Sequence, residues 1–241
     1  TLVRVGIPRR RICVVPNGVP LDEAALSAPI ARPVSPLRIL VVGTRVPEKN
    51  HVAVFEALGA LSSRDFVVDH LGRCGEHPSL DKRVADAIRA GGLTSRVHEH
   101  GRQVDVGRWY GRANLLVHPS LSEGFPNVVL EAWSWGCPVL VSDRGDLPRI
   151  VEHGVTGLVA PLGRSSGLLD ALGQALDDPE ALHGLAARGR AHVREHFAIS
   201  AVAAKWRELF QGSPQDLPQR IRQRGSRMWQ ALHERLPFKE E

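Results

Sequence analysis

Several features that would assign this 241-residue chain to a class at once are missing from it. No apolar run reaches 18 residues and no secretory h-region opens the chain, so neither a spanning helix nor a signal peptide is indicated. The three cysteines, Cys13, Cys74 and Cys137, are odd in number and show no C-x-x-C spacing. They point to a reducing compartment, with the cytoplasm as the default, and to small buried side chains. No G-x-G-x-x-G occurs either, because LGRCGE at 71–76 supplies only two glycines, and a dinucleotide fingerprint is thereby absent. One-sided charge is missing where a polyanion would need it. The formal net charge of +5 comes largely from the ends: residues 1–11 carry Arg4, Arg9, Arg10 and Arg11 without an acid, and residues 212–241 carry six bases against four acids. Between them stand 21 bases and 22 acids. A body so near neutrality offers no basic face to a phosphate backbone, and nucleic acid is not an expected partner.

What is present is enough apolar residue, 43% of the chain, for one good-sized core and a short appendage. Residues 37–42 form an apolar run of strand length broken only by Arg38, the kind buried on both faces of a parallel sheet. Further strand candidates at 12–15, 66–71, 96–100, 114–118 and 138–142 are joined by helical stretches at 50–62, 79–91, 104–112 and 126–135. Helical patterns at 165–177 and 179–211 follow. Alternation of this kind predicts an α/β domain, a Rossmann-like parallel sheet with helices on both faces and ligands at the carboxyl ends of the strands. The domain is expected to span 1–211, with 212–241 a separate basic amphipathic helical tail.

The stretch SEGFPNVVLEAWSWGCP at 122–138 organises the rest. Pro126 suits a first helical position and Gly136 with Pro138 supplies the stop, predicting a helix over 126–135. Val128, Val129, Leu130, Ala132, Trp133 and Trp135 sweep most of its circumference, leaving a narrow polar strip of Asn127, Glu131 and Ser134. Glu131 should therefore look into a cleft. Glu123 precedes the proline on the entering loop. In one continuous helix the two acids would be ~12 Å and ~80° apart, too far to act as a pair on one bond. Between them, the amides of Gly124 to Val128 make the helix start attractive to an anion. Acid, anion site, acid suggests sugar, phosphate, ribose, although spacing alone leaves equal room for a helix-start charge and an ordinary surface acid.

These residues carry a resemblance. PSLSEGFPNVVLEA at 119–132, GCPVLVSDRGDLPRIVEHGVTGLVAP at 136–161, VVPNGVPLDEA at 14–24 and VGTRVPEKN at 42–50 resemble the C-terminal half of retaining, GT-B-fold glycosyltransferases, the glycosyl transferases group 1 family. The likeness covers about residues 10–210. It implies that Arg45 and Lys49, on the glycine-led loop begun by Gly43, bind a donor's diphosphate, where a planar fork and a point charge nearly neutralise the leaving group. It implies that Glu131 holds the ribose hydroxyls, Glu123 the sugar hydroxyls, and the amides of Gly124, Phe125, Asn127 and Val128 the phosphate oxygens. The loop at 101–104, with Arg102 and Val104, would read the nucleobase edge. Catalytic roles fall to Glu123, Arg45 and Lys49. No cofactor or metal is implied, and the absence of any Asp-x-Asp agrees with neutralisation by side-chain cations. The family commonly has Leu at Val46, a second glycine at Asp146 and Glu at Arg149, so the donor's identity is not carried over.

The implied partners are a nucleoside-diphosphate sugar, a sugar or lipid-linked acceptor, and an N-terminal domain that this chain, beginning at Thr1, does not contain. Polysaccharide or glycolipid assembly is the family-level expectation. In the tail, Leu217, Ile221, Met228, Trp229, Leu232 and Leu236 recur at near-helical spacing with arginines between them, which suits packing on another domain or peripheral contact with the inner face of a membrane. Two other functions fit the residues: a nucleotide-sugar epimerase of the same fold, or a non-catalytic Rossmann-like interaction module. His98 and His100 alternate onto one strand face without a third ligand and are expected to be surface or packed histidines rather than a site, and His118 either closes the cleft wall or packs.

Overall fold

The computed structural model describes residues 14–211 apart from Asp22, Ala28, Arg32 and Ser165. The arginine-rich start, Cys13 and the expected tail at 212–241 lie outside the described residues. Elements run in the order α1 (Glu23–Ser27), β1 (Leu37–Val42), a 3-10 turn (Pro47–Lys49), α2 (His51–Ala60), β2 (Phe66–Leu71), α3 (Pro78–Ala90), β3 (Val97–Glu99), α4 (Gly107–Tyr110), β4 (Leu115–His118) and α5 (Asn127–Ser134). They continue as β5 (Val139–Ser142), α6 (Leu147–Ile150), β6 (Leu158–Ala160), α7 (Gly167–Asp177), α8 (Pro179–His196) and α9 (Ile199–Gln211).

The six strands form one sheet in the order β3-β2-β1-β4-β5-β6, and every pairing is parallel. β1 lies between β2 and β4, so the chain first builds outward in one direction and then returns to build in the other. Strands β1 and β2 occupy the expected residues, with Leu37 opposite Phe66 and Val42 opposite Leu71. Side chains alternate between two cores. Ile39, Val41, Phe55, Val68, Val84 and Leu172 fill the face covered by α2, α3 and α7, whereas Leu40, Tyr110, Leu116, Val129, Trp133 and Val193 fill the face covered by α4, α5, α6 and α8. Each such large side chain contributes about 1.5–3 kcal/mol by leaving water, so both faces of the sheet are held independently of any surface charge.

Several expectations need correction. Over its described part, residues 14–15, the first expected strand does not form; instead Val19 makes an isolated bridge with Ala198. Residues 158–160 make a sixth strand, too short for periodicity to reveal. The helical pattern at 179–211 is two helices, because the chain turns at Phe197 and Ala198 to meet Val19. Pro126 is the residue before α5 rather than its first position, with φ −83° and ψ 88° outside the helical range. Among the described residues no helix is long and apolar enough to cross a membrane.

Candidate functional site

In an open parallel sheet, a crevice forms outside the carboxyl ends of two strands whose connections leave in opposite directions. Here that point lies between β1 and β4. The loop leaving β1 starts at Gly43, whose φ of +148° favours glycine, and the stem of Lys49 lies beside it, 3.6 Å from where a Cβ would stand, an ordinary van der Waals contact. The loop leaving β4 carries Pro119 to Pro126. The two loops are tied by the Leu121 amide donating to Glu48 O at 2.7 Å, and at their meeting Lys49 Nζ contacts Glu123 Oε1 in an ion pair.

Glu123 Oε1 is a hub. Besides Lys49 it accepts from Ser120 Oγ at 2.9 Å and lies 2.9 Å from His118 Nε2. Burial pushes the Glu123 carboxyl up, but hydrogen bonds from His118 and Lys49, with the Lys49 charge, outweigh it and hold the acid at about 2. It is a fixed anion at neutral pH and no proton donor. His118, at the end of β4, is driven below its ordinary value by burial, against the pull of Glu123. It is therefore neutral and acts through its ring N–H. The backbone of Glu123 is clasped in turn by the loop after β5. The Asp146 amide donates to Glu123 O at 3.2 Å, and Gly145, with φ +59°, sits where a Cβ would approach that oxygen to 2.4 Å. Only glycine fits there. Asp146 and Arg149, two of the three departures from the family pattern, pair with each other at 2.5 Å beside this contact.

Arg45 has another fate. Its guanidinium is 5% exposed and pairs with Glu99 on β3 and, at 3.5 Å, with Asp81 on α3. The two cations of one loop thus have different acids, on different sides of it. Behind Arg45 lie His51 and His70, with ring centroids 5.1 Å apart and edge to face. Burial first, then the neighbouring Arg45 charge for His70 and the His70 and Arg45 charges for His51, lower them to about 4 and about 3.

The second acid, Glu131, is half-buried on α5, and its Oε2 accepts from the Tyr110 hydroxyl at 3.0 Å. Ser134, expected on the polar strip, is buried and donates to Glu131 O at 2.7 Å. Asn127 is exposed and its side-chain carbonyl accepts from Asn17 at 3.2 Å, which brings the Pro16-Asn17-Gly18 turn to the start of α5. Its amide turns back to Phe125 O at 3.1 Å, so of the five positions credited with anion-binding amides, Pro126 has none and Asn127's is engaged. Those of Gly124, Phe125 and Val128 remain. The Phe125 ring packs toward Phe197, centroids 5.8 Å apart, and only its amide has a polar role to offer. On the 101–104 loop, Arg102 and Val104 are exposed, Val104 completely. His100 lies within hydrogen-bonding distance of Asp69, at 2.7 Å, and 4.2 Å, centroid to centroid, from Trp109. No group of three His, Cys, Asp or Glu among the described residues is placed to hold a metal.

Sequence reasoning missed Tyr110, Ser120, Asp81 and Glu99. Ser120 had a signal, lying three residues before Glu123 beside Pro119. Tyr110 had only its uniqueness as the one tyrosine of the chain.

Doubly wound domains take their ligands in the crevice at the switch point, and here an acid-bracketed helix start lies beside it. Residues 36–178 match the family described as Glycosyl transferases group 1, and the chain belongs to that family. It is 29% identical over 218 residues to the D-inositol 3-phosphate glycosyltransferase of Thermobispora bispora, covering 84% of this chain and 51% of the relative. It is 30% identical to the lipopolysaccharide core biosynthesis mannosyltransferase LpsB of Rhizobium meliloti over 141 residues, 56% of this chain and 40% of the relative. The chain thus spans about half the length of the curated relatives it matches. Among solved structures, Anabaena HepE in complex with UDP and glucose superposes with a TM-score of 0.74 at 20% identity, covering 88% of this chain and 60% of HepE. That likeness shows the fold, the Rossmann-like half of GT-B glycosyltransferases.

Proposed function

We propose that this chain is the donor-binding half of a retaining, metal-independent glycosyltransferase that moves a hexosyl group from a nucleoside-diphosphate sugar to an acceptor hydroxyl in polysaccharide or glycolipid assembly. The observation that carries the reading is the meeting of Lys49 and Glu123 at the switch point, with Glu131 eight residues further along the same segment. A cation paired with an acid in a crevice exchanges that partner for a phosphate when one arrives, and the freed carboxylate then accepts from sugar hydroxyls. Lys49 takes the diphosphate, with the amides of Gly124, Phe125 and Val128 adding partial positive charge at the start of α5. Glu131 grips the ribose, and the backbone of the 101–104 loop meets the base. Arg45 joins the diphosphate only by leaving Asp81 and Glu99.

Catalysis in this scheme is electrostatic. The C1–O bond of the donor breaks with its electron pair going to the diphosphate, Lys49 stabilises that charge, and the acceptor oxygen bonds to C1 from the same face while its proton passes to the leaving phosphate. Glu123, held as an anion, favours the positive charge that develops on the sugar ring. The acceptor site belongs to an N-terminal domain, so the chain alone binds nucleotide without transferring sugar, and it works in the cytoplasm.

The named relatives support a glycosyl transfer, and the Anabaena protein HepE has been solved with UDP and with UDP-glucose. A thermal-shift panel of UDP, GDP, ADP and their sugars tests the reading. A specific nucleotide at 100 times its dissociation constant stabilises by about 2.7 kcal/mol. No shift with any of them, or sugar transfer by the chain alone, counts against it.

A further inference from the structure

Tyr110 is the one tyrosine of the chain, and it is 1% exposed. Its hydroxyl has one acceptor, Glu131 Oε2 at 3.0 Å, a bond between α4 and α5 across 21 residues of sequence. A phenol is a neutral donor. Unlike Lys or Arg it can fix a carboxylate's orientation without cancelling its charge, so the second oxygen stays available to accept from another hydroxyl. Burial first, then the Glu131 charge and the hydrogen bond, raise the phenol well above its usual range, and it keeps its proton wherever the domain is folded.

The spacing between α4 and α5 is set by the Trp135 indole, which fills the room left by two glycines of the α4 region. A Cβ at Gly107 would lie 2.5 Å from Trp135 Cζ2, and one at Gly111 would lie 3.3 Å from Cε3. At its other end α4 continues directly from the loop proposed to meet the base. The Trp109 ring stacks near His100, the Gln103 side-chain amide donates to His100 O at 2.7 Å, and Arg108 reaches Gln103 at 3.4 Å. The four-residue helix is therefore fastened to the 100–104 loop on one side and to the Glu131 carboxylate on the other.

We propose that Tyr110 is a positioning residue that orients Glu131 for the ribose diol and transmits the placement of the base-facing loop to it, so that base and ribose are recognised as one unit. This rests on Glu131 being the ribose acid, as proposed above. The proposal assigns no bond-making step to Tyr110. Its signature is selective: loss of the phenol hydroxyl harms binding of a nucleotide that has ribose hydroxyls and spares one that lacks them.

Calorimetry on the full chain tests this with UDP, GDP and ADP, each beside its 2′,3′-dideoxy counterpart. Tyr110→Phe is expected to weaken the tightest ribonucleotide about tenfold and its dideoxy counterpart less than twofold, and to have no further effect in a Glu131→Gln background. Equal weakening of both nucleotides, or of neither, overturns the proposal. If Glu131→Gln itself leaves the preference for ribose unchanged, the ribose role of Glu131 fails and the proposal falls with it. If Glu131→Gln abolishes the preference and Tyr110→Phe does not, only the role of Tyr110 falls. Because the chain has a single tyrosine, 3-fluorotyrosine labelling gives one fluorine resonance in a protein that retains its hydroxyl, independent of how well Tyr110→Phe folds. That resonance is expected to shift on adding the ribonucleotide and to stay in place with the dideoxy form; equal shifts with both also overturn the idea.

Discussion

Lys49 and Arg45 leave the same strand on the same loop, four residues apart, yet they have been put to different uses. Lys49 is 27% exposed and spans the switch point to an acid on the loop after β4. Arg45 is 5% exposed, and its two acids lie on the opposite side, on α3 and β3. A point charge on a flexible stem, partly hydrated, can change partners at little cost, whereas a planar fork held by two carboxylates beside two buried neutral histidines cannot. The difference teaches that two cations on one loop are not interchangeable: one spans the switch point, where the proposed diphosphate would lie, and the other fastens the β2–β3 side of the crevice.

The sharpest test of this division is Lys49→Met, expected to lower nucleoside-diphosphate affinity by about 100-fold, or about 2.7 kcal/mol, in calorimetry, with a modest fall in melting temperature because Glu123 keeps only Ser120 and His118 as partners. Arg45→Met should do the reverse. It leaves Asp81 and Glu99 without their cation and should cost roughly 2 kcal/mol in urea unfolding, discounted because Glu99 is partly exposed, while affinity falls less than threefold. If Arg45→Met weakens the ligand as much as Lys49→Met, the guanidinium does swing to the diphosphate and the comparison breaks.

Acid should also separate the two sides. His51 and His70, held at about 3 and about 4, bind fewer protons folded than unfolded. The stability they provide is complete above their ordinary value near 6.5 and is lost as pH falls through that value toward 4 and 3. Glu123, held at about 2, gives stability above its ordinary 4.5 that is lost only as pH falls from there toward 2. The two histidines beside Arg45 should therefore be felt at higher pH than Glu123, and His118, also lowered by burial, adds to that slope from the Glu123 side. His192, half-buried on α8 and also held at about 4, and His196, likewise lowered by burial, add to the same slope, so the share of His70 is read by difference. His70→Gln should remove between about 1 and 2 kcal/mol of the loss between pH 7 and pH 5 in thermal melts; an unchanged slope would show that His70 is not the titrating group. The smallest effect is expected from Ser120→Ala, which removes one of three contacts to Glu123 Oε1. It should weaken a nucleotide-sugar by about 1 kcal/mol relative to the nucleoside diphosphate alone, and an equal loss for both ligands would place Glu123 away from the sugar.

Much of this was legible in the chain itself. β1 and β2 were readable to the residue because a six-residue apolar or near-apolar run buried on both faces has few other uses. The α5 helix was readable because apolar residues surround it and glycine with proline ends it. The boundaries slipped where burial gives no period: Pro126 entered the helix in expectation and stands just outside it, and the three residues of β6 are too few to alternate. The partner of Arg45 was not readable, since Glu99 is 54 residues away and the contact exists only because β3 lies on the β2 side of β1. Tyr110 was passed over for the same reason, as a buried aromatic on a four-residue helix gives no sign of what its hydroxyl meets.

By itself, then, the order of residues determined an α/β domain of the Glycosyl transferases group 1 family, with two acids bracketing the start of one enclosed helix, because periodicity, turn chemistry and local motifs are properties of neighbours along the chain. Which cation faces which acid, which oxygen of Glu123 is the hub, and what holds Glu131 in place were decided only by the tertiary structure. Those contacts join residues that the strand order brings together, and a buried charge or hydroxyl must take whichever partner the packing delivers.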